Sequence, residues 1–454
     1  MWNFVFLYFQ DTYMERLLYS NLVEWKKRTS RKPLILLGAR QVGKTYLLKE
    51  FGKREFESMI YINCHKDSYA EKLFRDVNAD RILNEMKHYY NVTIIPGKTL
   101  IVFDEIQEIQ NGLASLKYFY EDHPDLHVAV AGSLLGISLK EGESYPVGKV
   151  ETLRLFPMSF SEFLLAKDRK SVINTIGRHD WETLLAQNEL LVSLLREYYF
   201  VGGMPEAVKE YNSSGNTQWV RNIQAEIIDA YKRDFAKHSK PQTQRINMVW
   251  ESIPSQLARE NKKFIFGAVR KGGRANDFEM AIQWLVDAGI VYKVFRTKSP
   301  NKPLKFYADN CAFKLYLLDC GLLSCMCHAS PHDLLIGSKA FSEFKGALTE
   351  NFVLEQLVPN IPFDNIFYYS KENSTQEIDF LVETESRIIP TEVKAEVNVK
   401  SKSLSGFINE DYKSIGLKGL RISMLPYIDQ GWMENIPLYS AEDYFRSAQQ
   451  PIAE

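Results

Sequence analysis

The chain has 454 residues, and at roughly 150 residues per domain this length predicts about three domains. Hydrophobic residues make up 45% of the chain and charged residues 25%, an ordinary composition that excludes a disordered, collagenous or disulfide-stabilised chain. The 56 Lys and Arg residues nearly balance the 57 Asp and Glu residues, which leaves a formal net charge of −1. A nucleic-acid binder that uses its whole surface is therefore excluded, and any such binding needs a local basic patch.

The N-terminal segment and the cysteines bear on the cellular compartment. Residues 1–13 are apolar but lack the basic segment and the cleavage site of a signal peptide, and an amphipathic stretch begins at Met14. We therefore expect Met14 to be the physiological start. No run of about 18 apolar residues is present, so no membrane partner is predicted. Five irregularly spaced cysteines are too few for a secreted framework, and a cytoplasmic protein with reduced thiols is predicted.

Apolar runs alternate with amphipathic helical patterns over residues 14–165, the first predicted domain. Short continuous apolar runs separated by helices are typical of a parallel sheet that is covered on both faces. The candidate strands are PLILLG (33–38), SMIYIN (58–63), TLIVFDE (99–105) and LHVAVAGS (126–133). An α/β fold with a parallel sheet is therefore predicted for this part of the chain.

The first candidate strand leads into GARQVGKT at residues 38–45, which fits the phosphate-loop pattern G-x-x-x-x-G-K-T. Gly38 and Gly43 allow the backbone to turn so that successive amides point at phosphate oxygens. The following helix adds the positive end of its dipole. Lys44 would neutralise the β- and γ-phosphates and the Thr45 hydroxyl would ligate Mg²⁺, so ATP and Mg²⁺ are the predicted cofactors.

An acidic pair follows the third candidate strand and supplies the second half of a nucleotide site. Asp104 would hold the Mg²⁺ shell, and Glu105 is placed to orient and deprotonate the attacking water. Ser133 ends the fourth strand, where its hydroxyl could contact the γ-phosphate or only cap the strand. Nucleotide binding follows from the loop and the acidic pair. Hydrolysis is a separate prediction, because Glu105 is also compatible with a slow switch.

A cation that triggers hydrolysis is harder to assign from the sequence. Arg40 lies inside the loop, Lys149 and Arg154 follow a segment rich in Gly, Glu and Lys, and Arg196 precedes a Gly-Gly pair. Each of them could reach the γ-phosphate or only solvate a surface. We keep Arg40 among the predicted nucleotide-binding residues.

Two further pieces follow the first domain. Residues 166–235 read as helices interrupted at VGGMPE (201–206), where Gly-Gly and Pro predict a helix break. Residues 236–330 contain an amphipathic helix at 275–289 and then two apolar runs, VYKVFR and LKFYA, around a turn-like segment. The order of helices followed by a hairpin predicts a winged-helix module.

The winged-helix module carries a local excess of positive charge. Residues 236–274 contain nine Lys or Arg residues against two Glu residues. Such an excess on a neutral protein suits contacts with phosphates, and Lys271, Arg274 and Lys302 are the preferred nucleic-acid contacts. A solvated basic face, or a patch that meets an acidic neighbouring domain, is the alternative.

The last piece, residues 335–454, combines a helix, three strands, a helix and a strand in that order. Asp379 lies on the second strand, and Glu392 and Lys394 share one face of the third strand because they are two residues apart. Glu350 lies on the preceding helix. This is the layout of PD-(D/E)xK nucleases, in which carboxylates hold Mg²⁺ and the lysine positions or activates water. A nuclease-derived fold kept for structure or recognition is the alternative, and Pro390 requires a bulge or an edge in the third strand.

With these motifs in hand, the chain from about Met14 resembles the bacterial and archaeal AAA-type ATPases whose C-terminal half is a restriction-endonuclease-like domain. The resemblance depends on LLGARQVGKT, VFDEIQEI, VETLRLFPMSFSEFL, and GALTENFVLEQL together with EIDFLVE and PTEVKAE. YYFVGGMPEAV and LYLLDCGLL are also similar to that group.

The resemblance implies a phosphate-loop NTPase core with a parallel sheet, a helical and winged-helix middle section and a C-terminal α/β restriction-endonuclease-like domain. It implies that Lys44 and Thr45 bind phosphate and Mg²⁺ and that Asp104 and Glu105 act in hydrolysis. It also implies that Asp379, Glu392 and Lys394 form a nuclease-like triad. Relatives commonly have an arginine where this chain has Lys149, which leaves a trigger role there unsupported. A hexameric ring is not assumed.

Three functions are compatible with the sequence. The leading hypothesis is an ATP-dependent switch or motor that acts on DNA, with a metal-dependent nuclease activity in its C-terminal domain. The alternative is a regulatory ATPase whose C-terminal domain binds a partner protein or nucleic acid without cleaving it. A third hypothesis is a DNA-binding regulator whose function resides in residues 236–330. The oligomeric state stays open in each case.

Overall fold

The structure is a computed structural model, and the part that it describes comprises residues 14–133, 146–259, 262–336, 342–372, 374–395 and 401–449. The N-terminal extension that we expected at residues 1–13 lies outside these ranges, as does most of the segment rich in Gly, Glu and Lys. Among the described helices, none has both the length and the apolar character that a membrane crossing requires.

A five-stranded parallel sheet forms the first part of the molecule. Its strands are β1 (Leu34–Gly38), β2 (Ser58–Asn63), β3 (Thr99–Asp104), β4 (His127–Ser133) and β5 (Glu151–Arg154). Their order across the sheet is β2-β3-β4-β1-β5, and every neighbouring pair is parallel. The predicted α/β fold with a parallel sheet is therefore confirmed. The sequence missed β5, because this four-residue edge strand alternates exposed and half-buried residues instead of forming an apolar run.

Helices cover both faces of this sheet. They are α1 (Tyr19–Lys27), α2 (Lys44–Glu55), α3 (Ala70–Leu73), α4 (Ala79–Tyr89) and α5 (Gly112–Asp122). One core contains residues of α1 and α2, and a second core contains residues of α4 and α5. Since β1 and β3 are buried along their whole length, their apolar runs are explained by contact with both cores.

A helical section follows the sheet. It comprises α6 (Phe160–Ala166), α7 (Lys170–Gly177), α8 (Trp181–Ala186), α9 (Asn188–Val201), α10 (Pro205–Ser214), α11 (Thr217–Phe235) and α12 (Lys240–Leu257). The predicted break at residues 201–206 is present, because α9 ends at Val201 and α10 begins at Pro205.

The next elements differ from the sequence-based prediction at the hairpin. After α13 (Phe266–Val269) and α14 (Ala275–Asp287) come β6 (Val291–Thr297) and β7 (Ala308–Leu317). The predicted strand at LKFYA is wrong: Leu304–Tyr307 forms a short 3₁₀ turn, and the strand begins after it. The apolar run KLYLL (314–318) lies mostly in β7.

The remaining strands join β6 and β7 in one sheet of eight. They are β8 (Ile366–Ser370), β9 (Glu377–Glu383), β10 (Ile388–Lys394), β11 (Gly419–Ser423), β12 (Ile428–Asp429) and β13 (Met433–Pro437). The order is β12-β13-β11-β10-β9-β8-β6-β7, and β6 pairs in parallel with β8. The pieces predicted at 236–330 and 335–454 therefore share a hydrogen-bonded sheet.

Helices α15 (Cys320–Met326), α16 (Pro331–Ile336), α17 (Ser342–Leu357), α18 (Lys402–Gly406) and α19 (Ala441–Ala448) complete the described elements. Pro390 lies inside β10, opposite Leu381 of β9, but pairing with β11 begins only at Thr391. Pro390 has no N–H, and it lies just before the residues of β10 that pair with β11. The central strand β10 therefore tolerates this proline.

A buried carboxylate fixes the break between α9 and α10. The Gly203 amide donates to Asp319 Oδ2 at 2.5 Å, and the Gly203 carbonyl accepts from the Met158 amide at 2.6 Å. Asp319 also caps α15 by accepting from the Leu322 amide at 2.8 Å. Burial raises the pKa of Asp319 to about 6. The Asp319 side chain thus connects the helical section to the segment after β7, and Gly203 in turn connects to Met158 of the first domain.

We expect Gly202→Ala to lower the free energy of unfolding by about 2 kcal/mol more than Gly215→Ala does, because overpacking adds to backbone strain. Both glycines have positive φ, 74° and 64°, so the strain is similar. A Cβ at Gly202 would collide with the Asp319 carboxylate, whereas one at Gly215 would meet no atom within 4 Å. Urea unfolding of both variants checks this, and equal losses would contradict it.

Candidate nucleotide-binding site and C-terminal acid cluster

The predicted phosphate loop connects β1 to α2. Gln41 and Gly43 have φ values of 65° and 97°, and Gly43 is the residue before the first turn of α2. Consecutive left-handed and helical residues of this kind make a concave row of backbone amides that suits an anion. A Cβ at Gly38 would collide with the Leu155 carbonyl oxygen, so close packing of the segment after β5 also requires this glycine.

Lys44 lies buried beneath the loop. Its ammonium donates to the carbonyl oxygens of Gly38 at 3.0 Å and Ala39 at 2.8 Å. Burial lowers the pKa of Lys44 to about 8, although the carboxylates of Glu105 and Asp104 oppose this shift. A buried ammonium next to a row of amides is a donor set that fits a polyphosphate.

Thr45 and Asp104 meet as the sequence predicted. The Thr45 hydroxyl donates to Asp104 Oδ2 at 2.8 Å, and Asp104 is buried at the end of β3. The Tyr61 hydroxyl donates to the same oxygen at 2.6 Å. Burial, assisted by this hydrogen bond, raises the pKa of Tyr61 to about 12. A hydroxyl beside a carboxylate suits Mg²⁺, and Tyr61 is a site residue that sequence reasoning missed.

Glu105 follows Asp104 with a backbone that non-glycine residues rarely adopt. Its φ is 54°, and its backbone amide donates to the Ala131 carbonyl at 2.9 Å. Its carboxylate accepts a hydrogen bond from the side-chain amide of Gln107. A left-handed residue stores strain of order 1 kcal/mol or more, and such strain is concentrated at functional sites. Ser133 ends β4 in register with Gly38, and its side chain lies outside the description.

Arg16, which the sequence analysis did not single out, supports the loop from the N-terminal side. Its guanidinium donates to the carbonyls of Val42 at 2.7 Å and Phe156 at 2.6 Å, and its Nε lies 3.1 Å from Glu162 Oε1. Both side chains of this ion pair are buried. The conformation of the loop therefore depends on residues before β1 and after β5.

Arg40 makes a contact different from the predicted one. Its guanidinium pairs with Asp234 Oδ1 of α11 at 2.7 Å, and the Tyr231 hydroxyl donates to the Arg40 carbonyl at 3.0 Å. A phosphate contact by Arg40 would require this guanidinium to leave Asp234. Since the residues are 194 positions apart, no local pattern could have revealed this pair.

The other candidate trigger cations are Lys149, Arg154 and Arg196. Lys149 pairs with Glu121 of α5 at 2.9 Å. Arg154 is exposed on β5 and lines a cleft of about 360 Å³ together with Pro359 and Asn360 of the C-terminal part. Arg196 is partly buried on α9.

The predicted C-terminal acid cluster comes together around β9 and β10. Asp379 Oδ2 accepts from the Val393 amide at 2.8 Å, and Lys394 pairs with Glu392 Oε1 at 3.0 Å. Burial and the charge of Glu350 raise the pKa of Asp379 to about 8. Helix α17, which carries Glu350, packs against β10.

Lysines from the middle section compensate this cluster. Lys262 forms an ion pair with Glu350 Oε1, and Lys314 of β7 pairs with Glu377 and lies 4.0 Å from Glu350 Oε2. Although burial acts in the opposite direction, these lysines lower the pKa of Glu350. Within the described ranges, no three or more His, Cys, Asp or Glu side chains are grouped in a way that could hold a metal ion. Metal binding by Glu350, Asp379 and Glu392 stays a prediction.

The predicted nucleic-acid contacts fall into two kinds. Lys271 and Arg274 are exposed in the turn before α14. Lys302 instead donates to the carbonyls of Thr384 at 2.5 Å and Glu385 at 2.8 Å, so it stabilises the turn between β9 and β10. The exposed side chains of α14 itself are neutral or acidic and include Asn276, Glu279, Met280, Gln283 and Asp287. This charge pattern favours phosphate contacts by the turn over base contacts by the helix.

The sheet order, the loop and the Thr45–Asp104 contact define a phosphate-loop NTPase, and comparison with known families agrees. Residues 30–164 match the family described as AAA domain, so this part of the chain is similar to a phosphate-loop domain of the AAA class. Residues 192–333 and 345–428 match two domains of unknown function, DUF8612 and DUF4143. No curated protein matches the chain.

Similarity to solved structures is weak. The ORC1 protein of Aeropyrum pernix in complex with DNA is 12% identical with a TM-score of 0.30, covering 70% of this chain and 94% of that one. A STAND signal-transduction ATPase of Pyrococcus horikoshii is 10% identical with a TM-score of 0.27, covering 78% and 46%. Cdc6p of Pyrobaculum aerophilum is 11% identical with a TM-score of 0.25, covering 72% and 96%. TM-scores below 0.5 do not establish a shared architecture.

The lowered pKa of Lys44 predicts that ATP binding depends on pH. Bound phosphates favour the charged ammonium of Lys44 and therefore raise its pKa. Above pH 8 the neutral amine of the free protein must take up a proton when ATP binds, so the affinity for ATP falls by up to about tenfold per pH unit. Calorimetry at pH 9 in buffers of different ionisation enthalpy measures this uptake. Lys44→Arg, which keeps its charge, should not take up this proton, and equal uptake by both proteins would contradict the prediction.

Proposed function

We propose that the chain is an ATP-hydrolysing switch that acts on DNA and whose nucleotide state controls its C-terminal half. The backbone amides between Gly38 and Gly43, together with Lys44, bind the phosphates of ATP. Thr45 and Asp104 hold Mg²⁺, which supplies charge neutralisation at the γ-phosphate when it is bound. The observation that carries this proposal is the 2.8 Å contact between Thr45 and Asp104 beside the buried Lys44 ammonium.

In the hydrolytic step, Glu105 orients the attacking water and accepts its proton. The Gln107 amide holds the Glu105 carboxylate, and the Tyr61 hydroxyl holds Asp104 in a fixed position. Ser133 is assigned a contact with the γ-phosphate or with that water. This division of roles resembles other phosphate-loop enzymes, in which positioning and electrostatic stabilisation supply most of the catalysis.

We infer that Arg40 couples the nucleotide state of the phosphate loop to the conformation of the helical section. A γ-phosphate bound at the loop would attract the Arg40 guanidinium away from Asp234, and α11 would lose an ion pair with a nearly buried carboxylate. Because α11 packs against α12 and α15, a change there reaches the middle and C-terminal parts.

We assign the domains as an AAA-type ATPase domain at 14–165, a helical region at 166–235, a winged-helix-like module at 236–330 and a PD-(D/E)xK-like domain at 335–454. Two observations support the last two assignments. Helices α12 to α14 precede the β6–β7 hairpin, and α17, β8, β9, β10, α18 and β11 follow in the order of the nuclease layout.

The C-terminal domain is proposed to cleave DNA in a reaction that depends on Mg²⁺. Glu350, Asp379 and Glu392 would hold the metal, and Lys394 would position the attacking water. Lys271 and Arg274 would contact the DNA backbone from the exposed turn before α14. The position of Asp379 on β9, bonded to the Val393 amide of the adjacent strand β10 that carries Glu392 and Lys394, supports this part of the proposal.

A second candidate is a regulatory ATPase whose C-terminal domain binds a partner protein or nucleic acid and cleaves nothing. The ion pairs that Lys262 and Lys314 make in the acid cluster favour it, because they neutralise carboxylates that a nuclease leaves available for metal.

Loss of ATP binding in Lys44→Ala tests the first half of the proposal. We expect affinity for ATP to fall by at least about 100-fold, since the one buried cation of the loop is removed, and the fold to persist by circular dichroism. Lys53→Ala, on the exposed side of the same helix, is the matched control and should bind normally. Unchanged ATP affinity in Lys44→Ala would refute the assignment.

Cleavage of plasmid and linear DNA, with Mg²⁺ or Mn²⁺ and with or without ATP, separates the two candidate functions. Cleavage that is lost in Asp379→Asn supports the nuclease, and the Lys44→Ala protein then reports whether ATP controls it. Absence of cleavage under every condition, combined with measurable ATP hydrolysis, favours the switch without cleavage.

A further inference from the structure

Two adjacent cavities lie where the first domain meets the middle and C-terminal parts. A polar cavity of about 360 Å³ is lined in part by Arg16, Arg154 and Asn360. An apolar cavity of about 390 Å³ shares Arg154, Phe156 and Asn360 with it and extends to Tyr292. We call the two together the junction cleft. Ligand sites commonly measure roughly 300–1,000 Å³ and lie at domain interfaces, so the junction cleft has the size and the position of a small-molecule site.

Apolar side chains from three parts of the chain line the apolar cavity. Phe156 follows β5, and Phe363 follows α17. Val291 and Tyr292 belong to β6. The rings of Tyr292 and Phe363 have their centroids 5.8 Å apart. Because removal of apolar surface from water is favourable, this half of the junction cleft suits the apolar body of a ligand.

The polar cavity contains one guanidinium that pairs with no carboxylate of the described residues, and this guanidinium belongs to Arg154. Two carboxylates line the same cavity, but each has its own arginine. Glu162 pairs with Arg16, and Glu442 accepts from Arg446 at 2.6 Å. The positive charge of Arg154 is therefore left for a ligand. A guanidinium presents a planar fork of N–H groups that matches an anionic group with two or more oxygens.

The polar cavity is connected to the phosphate loop through two arginines. The buried Arg16 guanidinium donates to the Val42 carbonyl inside the loop at 2.7 Å. Arg154 lies opposite Leu37 of β1, the residue before Gly38, at which the loop begins. A ligand that contacts either arginine therefore acts on a residue that is bonded to the loop or to the strand that leads into it.

We propose that the junction cleft binds an anionic effector, whose apolar body occupies the apolar cavity and whose anionic group pairs with Arg154. Binding of this effector changes the affinity of the phosphate loop for ATP, and ATP changes the affinity for the effector by the same factor. The coupling rests on the proposed ATP site, whereas binding of the effector does not. The junction cleft thus gives the ATPase a regulatory input that is separate from DNA.

The fluorescent aromatic anion anilinonaphthalene sulfonate, titrated into the full-length chain, tests the proposal. We expect this probe to bind at one site, and we expect Arg154→Gln to weaken binding at least about tenfold, because a charge-assisted hydrogen bond is lost. Arg154→Lys keeps the charge and should retain most of the affinity. The matched control Arg245→Gln removes an exposed arginine of α12 and should leave the affinity unchanged.

Absence of probe binding, or equal affinities of wild type and folded Arg154→Gln, would overturn the proposed site. Arg154→Met repeats the measurement if the glutamine variant does not fold. ATP titrations with and without saturating probe test the coupling, and we expect the ATP affinity of wild type to change at least about threefold. An unchanged ATP affinity would overturn the effector role.

Lys44→Ala separates the junction cleft from the proposed ATP site. This variant should bind the probe as wild type does, although it loses ATP binding. If wild type itself binds the probe through Arg154 but does not bind ATP, the proposed ATP site is wrong and the binding site in the junction cleft stands.

Discussion

The buried guanidinium of Arg16 holds the phosphate loop to the rest of the first domain. It donates to the Val42 carbonyl inside the loop and to the Phe156 carbonyl after β5, and it pairs with Glu162. Removing a partner from a buried charge is strongly destabilising, so these partners must keep their positions together. The loop is therefore not an independent turn between β1 and α2 but one end of a rigid group of contacts.

That group continues into the C-terminal part through the first turn of α6, the helix that carries Glu162. The Phe160 amide donates to Gln356 Oε1 of α17 at 2.8 Å, and the Ser161 amide donates to Glu442 Oε2 of α19 at 3.1 Å. Because α17 also carries Glu350, one helix contacts both the ATPase domain and the acid cluster. A contiguous path of this kind permits coupling, and a measurement has to demonstrate it.

Sequence reasoning located the elements whose signals are local. Strands β1 to β4 were predictable because each is a continuous apolar run, and Lys44, Thr45 and Asp104 were predictable because a fixed pattern and a strand end position them. The hairpin strand β7 was misplaced at LKFYA, because a short apolar run does not by itself determine which local structure it forms, and Leu304–Tyr307 is a 3₁₀ turn.

The residues that sequence reasoning missed owe their roles to distant partners. Arg16 bonds to a carbonyl 26 positions away and Tyr61 to a carboxylate 43 positions away, and Lys262 pairs across 88 positions. No periodicity or motif marks such residues. The basic composition around Lys262 suggested phosphate contacts, whereas its described partner is a carboxylate.

Hydrogen exchange of the full chain, measured with and without ATP and Mg²⁺, tests most directly whether nucleotide controls the C-terminal half. In the control protein, Lys44→Ala, ATP should not change the exchange rates. The account predicts that ATP slows exchange in residues 38–45 and also changes it in α11 and α17, because the contacts of Arg40 and Arg16 connect them to the loop. Changes confined to the loop and to residues 104–108 would contradict it.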